Sequence, residues 1–291
     1  VAKANTGTGK TAAFGLPILD LIDNNSPKTQ VCVLVPTREL AVQVSKALQA
    51  FLAGEKCSIV TVYGGQSMSM QIKALKKSAT IVVGTPGRVM DHLRRQTLDL
   101  QSVAHFVLDE ADEMLNMGFV EDIETILAQT NAQRRIYLFS ATMPKRMQSL
   151  IKRYLSKHVF IEVQATKSSL ASIDQYFYEV NIRNKLSCLL RIIKMQKNFY
   201  GVVFAQTRKE VDEVVVQLKA NGYFAQAIHG DIQQRQREQV LNQFRQGKCK
   251  ILVATDVAAR GIDVQGLNTV INYSLGQSPE SYVHRIGRTG R

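Results

Sequence analysis

At 291 residues, with 45% hydrophobic and 21% charged side chains, the chain is long enough for two ordinary domains that each bury a core. No apolar run approaches the ~20 residues a membrane-spanning helix needs and no signal or transit pattern opens it, so the expectation is a cytoplasmic protein with no membrane partner. Lys and Arg outnumber Asp and Glu by 37 to 24, a formal charge of +13, and such a balance favours a polyanionic partner, most often nucleic acid.

The first residues read as a short strand running into Ala4-Asn5-Thr6-Gly7-Thr8-Gly9-Lys10-Thr11, which opens a helix. The segment fits the phosphate loop G-x-x-x-x-G-K-[ST], with Ala4 in place of the first glycine. Glycines there let backbone N–H groups wrap phosphate oxygens, and the helix N-terminus adds a positive dipole. Lys10 would reach the β and γ phosphates, and the Thr11 hydroxyl would hold Mg²⁺. A glycine-rich turn capping a helix is the plainer alternative.

Apolar runs rich in β-branched residues follow at Val31–Val35, Ile59–Val62, Thr80–Val83, Phe106–Leu108 and Ile136–Phe139. They are apolar almost throughout rather than alternating, as strands buried on both faces of a parallel sheet are. Helical patterns such as Glu39–Leu52 and Val120–Gln129 lie between them, and βαβ alternation predicts a doubly wound α/β domain. The polar, small-residue stretch 164–172 reads as a linker. Alternation resumes with Gly201–Phe204, Phe224–Ile228, Ile251–Ala254 and Val270–Ile271, separated by helices such as Lys209–Ala220 and Gln234–Phe244. The expected organisation is a first domain over 1–163, a linker over 164–172 and a second domain over 173–291.

The polar motifs sit directly after strands: Thr37-Arg38, Gly64-Gly65, Thr85-Pro86-Gly87-Arg88, Asp109-Glu110 and Ser140-Ala141-Thr142 in the first half. Gln206-Thr207, His229-Gly230-Asp231 and Thr255-Asp256 do so in the second. Ligands of open parallel sheets bind outside the carboxyl ends of the strands. Asp109, ending an apolar strand, is the acidic partner a phosphate loop needs for its metal. Glu110 would orient or deprotonate the attacking water. Near the end, His284-Arg285-Ile286-Gly287-Arg288-Thr289-Gly290-Arg291 spaces three arginines with glycines, which suits a γ-phosphate site gaining charge in the transition state or, more plainly, nonspecific phosphate contact. Thr85 as N-cap with Pro86 in the first turn predicts a helix start whose N–H groups can take backbone phosphates without reading bases. Few aromatics sit among these motifs, so base stacking is not the expected mode.

Met114, Met117 and Phe119 read as packing residues, and His92, His105 and His158 as structural. Cys32, Cys57, Cys188 and Cys249 form no C-x-x-C pair, which argues against a metal or disulfide framework and for thiols in a reducing compartment.

The motifs from Ala4–Thr11 through Pro36-Thr37-Arg38-Glu39-Leu40-Ala41, Asp109-Glu110-Ala111-Asp112 and Ala254–Asp263 to His284–Arg291 occur in the order found in DEAD-box RNA helicases, which the chain resembles over nearly its whole length. The resemblance implies two RecA-like domains, each a mostly parallel sheet with helices on both faces, and RNA-stimulated ATP hydrolysis in the cleft between them, coupled to local unwinding of RNA. ATP with Mg²⁺ would be bound by Ala4, Thr6, Gly7, Thr8, Gly9, Lys10 and Thr11, with Thr11 and Asp109 on the metal. Gly261 would also bind the nucleotide, Asp263 would meet its ribose, and Arg288 and Arg291 would be the arginine fingers. Asp112, Ser140, Thr142 and His284 would couple hydrolysis to domain closure. RNA would be held, without regard to sequence, by Pro36, Thr37, Arg38, Gly65, Thr85, Gly87 and Arg88, and by Gln206, Thr207, His229, Gly230, Gln234, Arg237, Thr255 and Asp256. The family's adenine-recognising Q motif would precede Val1, and its fold continues past Arg291, so a fragment of a longer protein is expected. A DNA-directed superfamily 2 translocase and a non-hydrolysing RNA clamp stay open as alternatives.

Overall fold

The computed structural model describes residues 1–4, 8–54, 56–155, 157–163, 173–259, 264, 266–276 and 278–289. Thr6, Gly7, Gly261, Asp263, Arg291 and the expected linker 164–172 lie outside the described residues. The chain divides into two compact units, Val1–Gln164 and Ala165–Arg291.

In the first unit, β1 (Ala2–Lys3) leads to α1 (Lys10–Leu19), then β2 (Val31–Leu34), α2 (Arg38–Phe51), β3 (Ile59–Val62), α3 (Met68–Lys77), β4 (Ile81–Gly84) and α4 (Pro86–Arg94). β5 (His105–Leu108), α5 (Ala111–Asn116), α6 (Val120–Ala128), β6 (Arg135–Ser140), α7 (Lys145–Tyr154) and β7 (Ile161–Glu162) follow. The sheet runs β3-β4-β2-β5-β6-β1-β7, every described pair parallel. Successive strand side chains point to opposite faces. Cys32, Leu34, Val82 and Phe106 therefore enter one core, and Val31, Val33, Ile81 and Val107 the other. Two apolar cores on one sheet are the reason its strands read as continuous apolar runs.

The second unit repeats the plan with α8 (Lys185–Met195), β8 (Gly201–Phe204), α9 (Arg208–Ala220), β9 (Ala225–Ile228), α10 (Gln234–Arg245), β10 (Ile251–Ala254), α11 (Asp256–Ala259), β11 (Thr269–Asn272) and α12 (Pro279–Ile286). Its sheet is β11-β8-β10-β9, again parallel. Val202, Phe204 and Leu252 pack on one face; Val203, Ala205 and Val253 pack on the other. The sequence boundaries of these strands hold to within one residue. Because the described strands of each sheet are parallel, their carboxyl ends share one edge, and the motif loops leave from it. Among the described residues no helix is long and apolar enough to cross a membrane, and all four cysteines are free.

Candidate nucleotide site and nucleic-acid face

The loop that follows β1 closes on Gly9, whose φ of +81° is the left-handed conformation glycine adopts without penalty. Lys10 then begins α1 and is 8% exposed. Its Nζ makes no hydrogen bond with the described residues; the nearest carboxylate oxygen, Asp109 Oδ1, is 3.9 Å away. A buried ammonium without a hydrogen-bond partner is costly, and an anionic oxygen would satisfy it. Ala4 is buried, and its N–H donates to the Ser140 carbonyl at 2.9 Å, which fixes the start of the loop beside the end of β6.

Asp109 leaves the end of β5, and burial pushes its carboxyl up to about 6, with Lys10 and the Glu110 N–H opposing and Glu110 and Asp112 adding to the rise. A carboxylate so destabilised is relieved by a cation. Mg²⁺ characteristically binds through one or two carboxylates plus phosphate oxygens, and the donor set of Asp109 and the Thr11 hydroxyl fits that pattern. No group of three His, Cys, Asp or Glu gathers for a metal among the described residues.

The folded Asp109 carboxyl binds its proton more tightly than an unfolded one with its pKa near 3.8. Between about 4 and about 6 the native state therefore holds more protons, and the contribution of this group to stability falls as pH rises through that window. Urea unfolding from pH 4 to 7 is expected to show the wild type losing stability relative to Asp109→Asn as pH rises. Parallel profiles would contradict it.

Glu110 caps α5 with φ 51° and ψ 49°, a left-handed conformation rare for a side-chain-bearing residue and frequent at functional turns. Asp112 is 1% exposed. Its Oδ2 accepts from the Thr142 N–H at 2.9 Å and the Thr142 hydroxyl at 2.8 Å, while the Ser140 hydroxyl donates to the Thr142 carbonyl at 2.6 Å. Three of the four expected coupling residues thus form one network between the ends of β5 and β6. His284, the fourth, belongs to the second unit.

After β2, the strand beside β5, Thr37 caps α2, its Oγ1 accepting from the Leu40 N–H at 3.3 Å. Arg38 lies over Gly64: a Cβ there would meet its Nη2 at 3.3 Å. Gly65 takes φ +87°. Thr85 precedes α4 with Pro86 in the first turn, but its hydroxyl caps nothing. Thr37 thus spends its oxygen on its own helix, whereas the half-buried Thr85 does not. Gly87 has open space around it.

The second unit reproduces this frame. Thr207 caps α9 through the Glu210 N–H at 3.1 Å, and Arg208 lies over Gly230 as Arg38 lies over Gly64, with Nη2 at 3.4 Å from a Cβ built there. Arg208 also pairs with Asp231. The sequence reading overlooked Arg208; the Thr-Arg pair repeated at the same distance past β2 and β8 is the signal that would have found it. His229 bonds Asp212 at 3.0 Å, the exposed Gln206 gives its N–H to Glu210, and Gln234 bonds Glu238. Arg237 donates to the Ala258 carbonyl at 2.6 Å. Thr255 follows β10, its carbonyl accepting from the Ala258 and Ala259 N–H groups. Asp256 gives both carboxylate oxygens to Arg285, which also bonds Asn272 Oδ1 and the Ser274 carbonyl and stacks on Phe204. Arg285 is therefore committed to holding α12 on the sheet. Arg288, one turn on, donates from Nε to the His284 carbonyl at 3.2 Å.

The family model described as DEAD/DEAH box helicase matches residues 1–150, and that of the helicase conserved C-terminal domain matches 184–291. The chain is 47% identical over its full length to the DEAD-box ATP-dependent RNA helicase CshA of Bacillus licheniformis, covering 60% of that protein. Across the curated relatives compared, it spans 55–62% of their length. Among solved structures, it is 50% identical to a DEAD box protein from the hyperthermophile Methanococcus jannaschii, over the whole chain and 78% of that one, with a TM-score of 0.55. It is 31% identical to S. cerevisiae Dbp5 bound to RNA and ADP BeF3, over the whole chain and 75% of that one, with a TM-score of 0.89. With the literal Asp109-Glu110-Ala111-Asp112 at the end of β5, the chain belongs to the DEAD-box family of helicases.

Proposed function

We propose that the protein is an ATP-dependent RNA helicase that couples RNA-stimulated ATP hydrolysis to local remodelling of RNA duplexes in the cytoplasm. The observation that carries this reading is the buried Lys10 Nζ without a hydrogen-bond partner among the described residues, facing Asp109 at 3.9 Å. A triphosphate would supply oxygens to Lys10 and to the N–H groups after Gly9. Thr11 and Asp109 would hold Mg²⁺, which shields phosphate charge when bound. Glu110 takes the proton of the attacking water, and Arg288 and Arg291 answer the charge that develops on the γ-phosphate. Gly261 also binds the nucleotide, and Asp263 meets its ribose. The network of Asp112, Ser140 and Thr142, with His284 of the second unit, ties the state of the nucleotide to the grip on RNA.

RNA is held along the strand-end edges by Arg38, Gly65, Thr85 and Arg88 in the first unit and by Thr207, Arg208 and Gly230 in the second. Helix starts and guanidinium groups contact phosphates, which gives binding without sequence readout, and the net charge of +13 supports it. The relatives named for RNA helicase activity favour RNA over DNA as the stimulating strand; equal stimulation by matched DNA would overturn that choice.

Lys10→Ala is expected to lower RNA-stimulated ATP turnover by on the order of 10²–10³-fold, the effect of deleting one preorganised charge at a reacting group. Steady-state phosphate release with and without RNA measures it, and undiminished turnover would reject the phosphate-loop assignment.

A further inference from the structure

Helix α3 buries one residue fully, and it is polar: Gln71, 2% exposed. Its amide is saturated. Nε2 donates to the Tyr63 carbonyl at 2.9 Å and to Gln66 Oε1 at 2.7 Å. Oε1 receives Arg88 Nη1 at 3.0 Å and faces His92 Nε2 at 2.9 Å. Flipping the amide would set its NH₂ against the Arg88 donor and its oxygen against two acceptors, so the orientation is dictated by the partners.

That orientation fixes the imidazole as well. Gln71 Oε1 only accepts, so His92 Nε2 carries the hydrogen. In the neutral ring Nδ1 is then an acceptor, and the Thr97 hydroxyl, 2.8 Å from it and 3.2 Å from the His92 carbonyl, has its one hydrogen to share between the two. His92 has no exposed surface, and burial followed by the charge of Arg88 pushes its pKa down, which keeps the ring neutral.

Arg88 and His92 stand four residues apart on α4, hence on one face. The Nη1 group of Arg88 is spent inside, on Gln71 and on the Gln66 carbonyl at 3.2 Å, and Asp91 lies 3.7 Å from Nε. Nη2 makes no hydrogen bond with the described residues. One end of the guanidinium is thus anchored on the loop after β3, while Nη2, on a side chain 13% exposed, keeps two N–H donors for a further acceptor.

We infer that His92 and Gln71 are positioning residues, a buried imidazole–amide relay that presets the guanidinium of Arg88 for a phosphate of the bound strand. The inference rests on the RNA face proposed above. A preset fork loses less conformational freedom on binding than a free side chain. The relay also joins two segments of that face, since Gln66 follows Gly64-Gly65 and Arg88 follows Thr85.

The test is a double-mutant cycle read as RNA-stimulated ATPase activity. His92→Leu is expected to raise the RNA concentration for half-maximal stimulation by roughly 3- to 10-fold, in the range of one neutral hydrogen bond, with kcat at saturating RNA little changed. His92→Gln, whose amide keeps a donor near the Nε2 position, should recover most of the loss. In an Arg88→Ala background, His92→Leu should add nothing further, because a residue acting through Arg88 has no effect once Arg88 is gone; a purely structural residue would cost as much in both backgrounds. ¹⁵N NMR of the wild type reads the tautomer directly and does not depend on any variant folding: protonation at Nδ1 would overturn the relay. Arg88→Ala binding RNA as the wild type does would overturn the RNA face and the relay together. A weakened Arg88→Ala beside an unaffected His92→Leu would overturn the relay alone.

Discussion

Arg288→Ala is expected to lower RNA-stimulated ATP hydrolysis by roughly 10³–10⁵-fold, the span that arginine fingers contribute elsewhere. The sequence offers three arginines in His284–Arg291, and the structure separates two of them. Arg285 is 2% exposed and bound to Asp256, Asn272 and Ser274, so its charge holds α12 in place and its loss would leave Asp256 without its partner. Arg288 lies past the end of the helix, with Nε on the His284 carbonyl. An interaction made mainly with charge developing on the γ-phosphate lowers kcat more than it weakens ATP binding. Single-turnover hydrolysis with a parallel ATP titration separates the two effects. Arg288→Lys should recover little, since an ammonium lacks the planar fork. Turnover at the wild-type rate in Arg288→Ala would remove it from the reaction.

Glu110→Gln is expected to retain ATP and RNA while hydrolysis falls by roughly 10²–10⁴-fold, the usual contribution of a positioned general base. Gln matches Glu in size and makes the same demand on the left-handed turn at φ 51°, so the end of β5 and the Asp112–Thr142 bonds should persist. The expected product is a complex that binds and does not release on schedule. Filter binding of RNA with ATP, beside phosphate release, checks both halves. Continued turnover would reject the role of Glu110 with water.

The fold was legible because its strands are buried on both faces: Val31–Leu34, Ile81–Gly84 and Ile251–Ala254 are apolar runs with polar residues at their ends. The edge positions of the motifs followed from parallel pairing alone. Pairings between distant residues were not legible. Thr37 and Thr85 look alike as helix starts, yet only Thr37 closes its cap, which depends on local backbone geometry. Asp256 reads as a strand-end ligand, but its partner lies 29 residues on. His92 reads as a structural histidine until Gln71, 21 residues away, is seen to bridge it to Arg88.

The most direct test is a crystal structure of the protein with single-stranded RNA, Mg²⁺ and ADP–beryllium fluoride, which mimics the γ-phosphate. Lys10 Nζ and the Arg288 guanidinium are expected within hydrogen-bond distance of the fluoride group. A trapped complex in which Lys10 contacts the nucleotide while Arg288 stays on the His284 carbonyl, turned from the phosphates, would contradict the account.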